Sequence, residues 1–85
     1  MYKIAYRKPA AKALAKLPTK IALQFLSAFE QLANGTEQPA FDIKKLEGRE
    51  GYRLRMGGYR AIYRFLDTII IIEVLKIGSR GDIYK

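Results

Sequence analysis

Two runs of alternating residues, Tyr52–Met56 and Tyr59–Leu66, are separated only by Gly57-Gly58. A Gly-Gly pair tolerates the positive φ angles of the primed turns that close two-residue hairpins. The register follows: Met56 faces Tyr59, Arg55 faces Arg60 and Arg53 faces Ile62. Side chains alternate across a strand, so the hairpin has two unlike faces. One collects Tyr52, Leu54, Met56, Tyr59, Ala61, Tyr63 and Phe65, an apolar set suited to lie beneath helices. The other carries Arg53, Arg55, Arg60 and Arg64.

The rest of the chain supplies that cover. Tyr2, Ile4 and Tyr6 alternate with Lys3, Ala5 and Arg7 as an opening strand. Pro9 suits the first turn of a helix and Ala10–Leu17 are strong helix formers, until Pro18 breaks the run. Ile21, Phe25, Ala28, Phe29 and Leu32 recur at helical spacing between Thr19 and Ala33, and Asn34-Gly35 offers a left-handed C-cap. Thr36 to Gly51 reads as a connection holding a short extended piece at Asp42–Leu46. A last strand, Ile69–Ile77, joins through Asp67-Thr68, a weaker match for a two-residue turn than Gly-Gly. The predicted order is β-α-α-β-β-β: a single α+β domain over residues 1–85, with two N-terminal helices packed on one face of an antiparallel sheet. The longest aliphatic stretch, Ile69–Ile72, is far short of the roughly 20 apolar residues of a membrane span.

Charge narrows the function. Sixteen Lys and Arg stand against eight Asp and Glu, a net +8, which favours a polyanionic partner. The chain contains neither cysteine nor histidine. Disulfides, thiolate chemistry, zinc sites and Ser-His or Cys-His nucleophiles are therefore not expected, and no cofactor is predicted. Met1 to Ile4 run straight into strand alternation without a secretory h-region, so an intracellular protein is expected.

Arg55 directly across from Arg60 is a like-charge pair that a bound anion would relieve. Lysine or glutamate would solvate an open sheet face equally well. Four arginines on one face instead supply planar forks that match phosphate oxygens bidentately. Through a two-residue turn at Asp67-Thr68, Glu73 falls opposite Ile62 on this face, where it is expected to pair with one arginine and leave net positive charge. Lys8, Lys12 and Lys16 form a solvated helix stripe, and Tyr2, Tyr6, Tyr52, Tyr59 and Tyr63 are assigned to core or rim packing.

The strings Leu46-Glu47-Gly48, Tyr52-Arg53-Leu54-Arg55, Gly58-Tyr59-Arg60-Ala61-Ile62-Tyr63 and Ile77-Gly78-Ser79-Arg80 to Ile83-Tyr84 resemble RelE-like toxins of type II toxin–antitoxin systems, within the RelE/ParE superfamily. Ala13 to Pro18 is similar to that family as well, so the resemblance spans essentially the whole chain. It is more specific for the superfamily than for an activity. Members similar to RelE are ribosome-dependent endoribonucleases that cut messenger RNA in the A site, whereas ParE-like relatives poison DNA gyrase.

A RelE resemblance implies metal-independent attack of a ribose 2′-hydroxyl on its adjacent phosphate. It places Arg53 and Arg55 where basic residues, often lysines, line the cleft. Arg60 and Arg80 match arginines that hold the scissile phosphate, and Tyr84 matches a tyrosine near the attacking hydroxyl. Lys45 and Arg64 complete the expected phosphate-contacting set. Two departures matter. Arginine is a poor general base, so Arg53 and Arg55 are expected to stabilise charge while Tyr84, its pKa lowered by arginines, takes the proton. Ser79 stands where relatives often carry a basic or histidine residue, which implies slow cleavage without the ribosome.

The implied partners are an acidic cognate antitoxin covering the basic cleft and messenger RNA in the ribosomal A site, with ribosomal RNA contacts, in the cytoplasm. Neither a membrane nor a small-molecule cofactor is implied. The alternatives are a ParE-like gyrase inhibitor, which would not use Arg55, Arg60, Arg80 and Tyr84 together, and a noncatalytic RNA-binding or decayed toxin, for which the missing lysines speak.

Overall fold

Gly57 takes a positive φ of 61°, as a tight turn at Gly57-Gly58 requires, and the central hairpin closes around it. The computed structural model describes residues 2–35 and 41–79. Within them run β1 (Lys3–Tyr6), α1 (Lys8–Lys16), α2 (Thr19–Ala33), β2 (Asp42–Lys45), β3 (Tyr52–Met56), β4 (Tyr59–Leu66) and β5 (Ile71–Ser79). The strands form one sheet in the order β1-β5-β4-β3-β2. Every pairing is antiparallel except β1 with β5, which is parallel. Parallel neighbours need a crossover, and everything from α1 to β4 lies within this one.

Pro9 and Pro18 act as the sequence suggests. Pro9 sits in the first turn of α1, where its missing N–H is harmless. The helix ends at Leu17, whose N–H reaches the carbonyls of Ala13 and Leu14 at 3.0 and 3.3 Å, and Pro18 then precedes α2. At the far end of α2, Gly35 adopts φ +76° and its N–H returns to the Leu32 carbonyl at 3.1 Å.

The core lies between α2 and the sheet. Phe25, Ala28, Phe29 and Ala33 pack with Leu54, Ala61, Tyr63, Ile72, Val74 and Ile77. Phe29 meets Tyr63 edge-on at a centroid distance of 5.3 Å, and Tyr63 stacks on Tyr52 at 5.6 Å. The face expected to lie under the helices does so: Leu54, Ala61 and Tyr63 are buried there, with Tyr52, Met56, Tyr59 and Phe65 packed around them. Burial raises the Tyr63 hydroxyl pKa to about 12. No described helix is long and apolar enough to cross a membrane.

Two features differ from the sequence reading. The extended piece at Asp42 is a true strand, four residues long, paired along β3 at the sheet edge. The second hairpin is wider than expected, because β5 begins at Ile71 and Leu66 pairs with Ile71. Asp67-Thr68 does not supply the positive φ that a primed two-residue turn demands. The chain takes two further residues and places the left-handed conformation at Ile70, φ 55°. That register sets Glu73 opposite Arg64 rather than Ile62. A shift between Ile62 and Tyr63 then leaves Ile62 opposite Lys76, with Leu75 as the extra residue of a bulge.

Candidate functional site

The open face of the sheet carries the arginines in the expected register. Arg55 is directly opposite Arg60, and Arg53 is opposite Ile62. β2 adds Asp42 beside Arg55 and Lys44 beside Arg53, while β5 adds Glu73 beside Arg64 and Lys76 beside Ile62. Among the described residues, these paired positions hold six cations against two carboxylates, so the face keeps an excess of positive charge.

The carboxylates divide the arginines into three kinds. Glu73 holds Arg64 through a charge-assisted hydrogen bond from Nε to Oε1 at 2.8 Å, with both side chains partly buried. Asp42 stands between Arg53 and Arg55, its oxygens 3.6 Å from Arg53 Nη2 and 3.8 Å from Arg55 Nη1. Those are long contacts on a half-exposed carboxylate, and they bias the two guanidinium groups without immobilising them. Arg55 Nε also donates to the Gly57 carbonyl at 3.4 Å.

Arg60 is different. It is only 9% exposed, its Nε is buried without a hydrogen-bond partner, and no described carboxylate is within ion-pair distance. The Arg53 Nε is buried and unpartnered as well. A buried cation without a partner is costly in isolation, and an anion arriving between Arg53, Arg55 and Arg60 offsets that cost. Across from Arg60 on β5 lies Gly78, which adds no side chain at that point.

Of the expected site residues, the structure brings Arg53, Arg55 and Arg60 together and ties Arg64 to Glu73. Lys45 falls in a different place. It pairs with Tyr52, on the helix side of the sheet, and lines a groove of about 270 Å³ that runs past Lys44 to Arg53. Arg80 and Tyr84 lie outside the described residues. Asp42 was missed by sequence reasoning, although extending the alternation into Asp42-Ile43-Lys44-Lys45 and pairing it with β3 would have found it. Burial raises the Tyr63 hydroxyl to about 12, and partial burial with the Glu30 charge raises that of half-buried Tyr6 to about 12, so both stay protonated at neutral pH. Among the described residues there is no cluster of acidic side chains able to hold a metal ion.

The family model described as the ParE toxin of the parDE type II toxin–antitoxin system matches residues 4–84. A putative toxin RelE1 of Methanocaldococcus jannaschii is 38% identical over 88 residues, covering 99% of this chain and 96% of that protein. A putative RelE-like toxin protein of Escherichia coli is 27% identical over 86 residues, covering 99% of this chain and 90% of its own. Among solved structures, the archaeal RelE–RelB complex of Pyrococcus horikoshii matches with a TM-score of 0.77 and 33% identity over 95% of this chain and 97% of the other. A chain with two helices on one face of its sheet and arginines on the other, matched along nearly its whole length in sequence and in fold, belongs to the RelE/ParE superfamily of toxins from type II toxin–antitoxin systems.

Proposed function

We propose that the protein is a RelE-type toxin that cleaves messenger RNA on the ribosome. The observation that carries this reading is Arg60: a nearly buried guanidinium, unpaired among the described residues, directly across the ladder from Arg55. Such an arrangement is unfavourable in the free protein and becomes favourable around a phosphate. The RelE names of the relatives favour RNA over gyrase as the target.

In the proposed reaction a ribose 2′-oxygen attacks its own 3′ phosphate. The O2′–P bond forms, the P–O5′ bond breaks, and the products are a 2′,3′-cyclic phosphate and a free 5′-hydroxyl. Arg60 and Arg80 hold the phosphate, while Arg53 and Arg55 stabilise the charge that builds on its oxygens. Tyr84 takes the 2′ proton in this proposal. With no histidine in the chain, the proposed donor of the proton to the 5′-oxygen is a group on the ribosome.

The partner that restrains the toxin is an acidic cognate antitoxin in the same cytoplasm, as RelB accompanies RelE in the Pyrococcus complex. An apolar groove of about 470 Å³ along α2, lined by Leu23, Ala28, Phe41 and Met56, suits the apolar face of an antitoxin helix. The test is to incubate the purified toxin with ribosomes programmed with a defined message and to map the product ends. Cyclic phosphate ends within the A-site codon support the reading. Intact message alongside inhibited gyrase overturns it.

A further inference from the structure

A second cavity lies round the edge of the sheet from the arginine face. It has a volume of about 560 Å³ and opens between the β2–β3 loop, which contributes Arg49 and Glu50, and the β4–β5 loop, which contributes Asp67. Tyr2, Tyr52 and Phe65 line it from the helix side of the sheet. All three rings are half-buried, with Phe65 edge-on to Tyr2 at 5.2 Å and to Tyr52 at 5.7 Å. Packing accounts for the buried part of each ring, and the remainder faces the cavity.

The cavity is built by a constrained loop. The Leu46 N–H meets the Gly51 carbonyl at 3.0 Å, and Gly51 is buried at φ +129°, where a Cβ would stand 3.0 Å from the Tyr63 carbonyl oxygen. Only glycine lets the loop lie this close to β4, and that closeness sets Arg49 and Glu50 at the cavity rim. Some of the lining charges are already engaged, since the Tyr2 hydroxyl donates to Asp67 and Arg64 is held by Glu73. Lys45, Arg49 and Glu50 remain for a ligand.

Lys45 also lines the 270 Å³ groove that contains Lys44, Arg53 and Glu47, so three cations there outweigh one carboxylate. A cationic path therefore leaves the arginine face at Arg53, turns the β2 edge through Lys44 and Lys45, and arrives at an aromatic cavity rimmed by Arg49. A charged track ending on half-buried aromatic rings is the chemistry that single-stranded nucleic acid recognises, through its backbone and its unpaired bases respectively.

We propose that this cavity takes an unpaired base of the same RNA strand whose phosphate sits at Arg53, Arg55 and Arg60. The base stacks on Tyr52 and Phe65, Lys44, Lys45 and Arg49 carry the intervening backbone, and Glu50 accepts from an amino group on the base edge. This inference rests on the RNA-cleaving reading above. Three residues of strand and one sheet thickness separate the two sites, a path on the order of 20 Å, or a few nucleotides.

The experiment measures binding of non-cleavable 2′-deoxy-substituted strands of about four and about ten nucleotides, the longer one carrying 2-aminopurine at successive positions. The ten-mer is expected to bind at least about tenfold more tightly, with fluorescence quenched at one position a few nucleotides from the phosphate site. Arg49→Glu, on an exposed loop, should return the ten-mer to four-mer affinity and leave the four-mer unchanged, and Lys45→Ala should act in the same direction. Equal affinity for both lengths, uniform fluorescence, or equal weakening of both strands by Arg49→Glu overturns this inference while four-mer binding upholds the first reading. Failure of both strands to bind overturns both readings.

Discussion

Arg55 and Arg60 face each other directly across the β3–β4 ladder, yet only Arg55 has a carboxylate, Asp42, within ion-pair distance among the described residues. That asymmetry assigns them different work. Arg55 is exposed and already shares a counter-ion with Arg53, whereas Arg60 is buried with no carboxylate at ion-pair distance among the described residues.

Asp42→Asn removes the shared counter-ion of Arg53 and Arg55. RNA affinity should rise, and the slope of log affinity against log salt should steepen by about one, as one more phosphate is neutralised by a freed cation. Because the ion pairs are long and the carboxylate half-exposed, thermal stability should change by less than about 1 kcal/mol. Fluorescence anisotropy over a salt series and a denaturation curve check both outcomes.

Glu73→Gln weakens the hydrogen-bonded pair that holds Arg64. Hydrogen bonds to charged groups contribute about 1.5–3 kcal/mol when buried, and partial exposure brings the expected loss to about 1 kcal/mol. Arg64→Ala should cost a similar amount of stability and affect cleavage far less than changes at Arg60. Comparing urea midpoints with cleavage rates for the two variants separates a structural arginine from a phosphate-holding one.

Gly51→Ala places a methyl 3.0 Å from the Tyr63 carbonyl at a backbone angle of φ +129°. The expected loss is about 2 kcal/mol or more, read from chemical denaturation. Gly48→Ala, with a positive φ of 72° but open space around it, should be milder, near 1 kcal/mol.

Tyr63 and Tyr6 both have hydroxyls raised to about 12, chiefly by burial. A folded pKa above the unfolded value of about 10 means the stability contribution is fully present below pH 10 and is lost as pH rises towards 12. Stability should therefore fall across that window, and Tyr63→Phe should flatten part of the fall. Thermal midpoints measured from pH 8 upward test this; an identical fall in the variant would assign the loss elsewhere.

The centre of the sheet was legible because Gly57-Gly58 leaves a single sensible register, and every pair from Tyr52 to Tyr63 follows from it. The β4–β5 turn was not legible. Its four-residue width depends on Ile70 tolerating a left-handed angle that β-branched residues rarely adopt, so no propensity rule points to it. The role of Asp42 is hidden in the sequence because a four-residue edge strand with one apolar side chain, Ile43, carries almost no periodic signal. Nothing in the sequence separates Lys45 from the arginines, and only the β2–β3 register, Lys45 opposite Tyr52, shows that it leans to the other side. Alternation alone makes Arg60 and Ile62 open-face residues. Their burial reflects tertiary surroundings that a period of two does not encode.

The most direct measurement is primer extension on a translated message after brief induction of the wild-type chain, Arg60→Ala and Arg60→Lys, with thermal denaturation of each purified protein alongside. Wild type is expected to cut within codons, and Arg60→Ala to lose about a hundredfold or more while remaining folded. Arg60→Lys should recover only part of that loss, because charge returns without the planar fork. Undiminished cleavage by folded Arg60→Ala, or a wild type that leaves messages intact and arrests gyrase instead, would contradict the assignment of the arginine face to RNA cleavage.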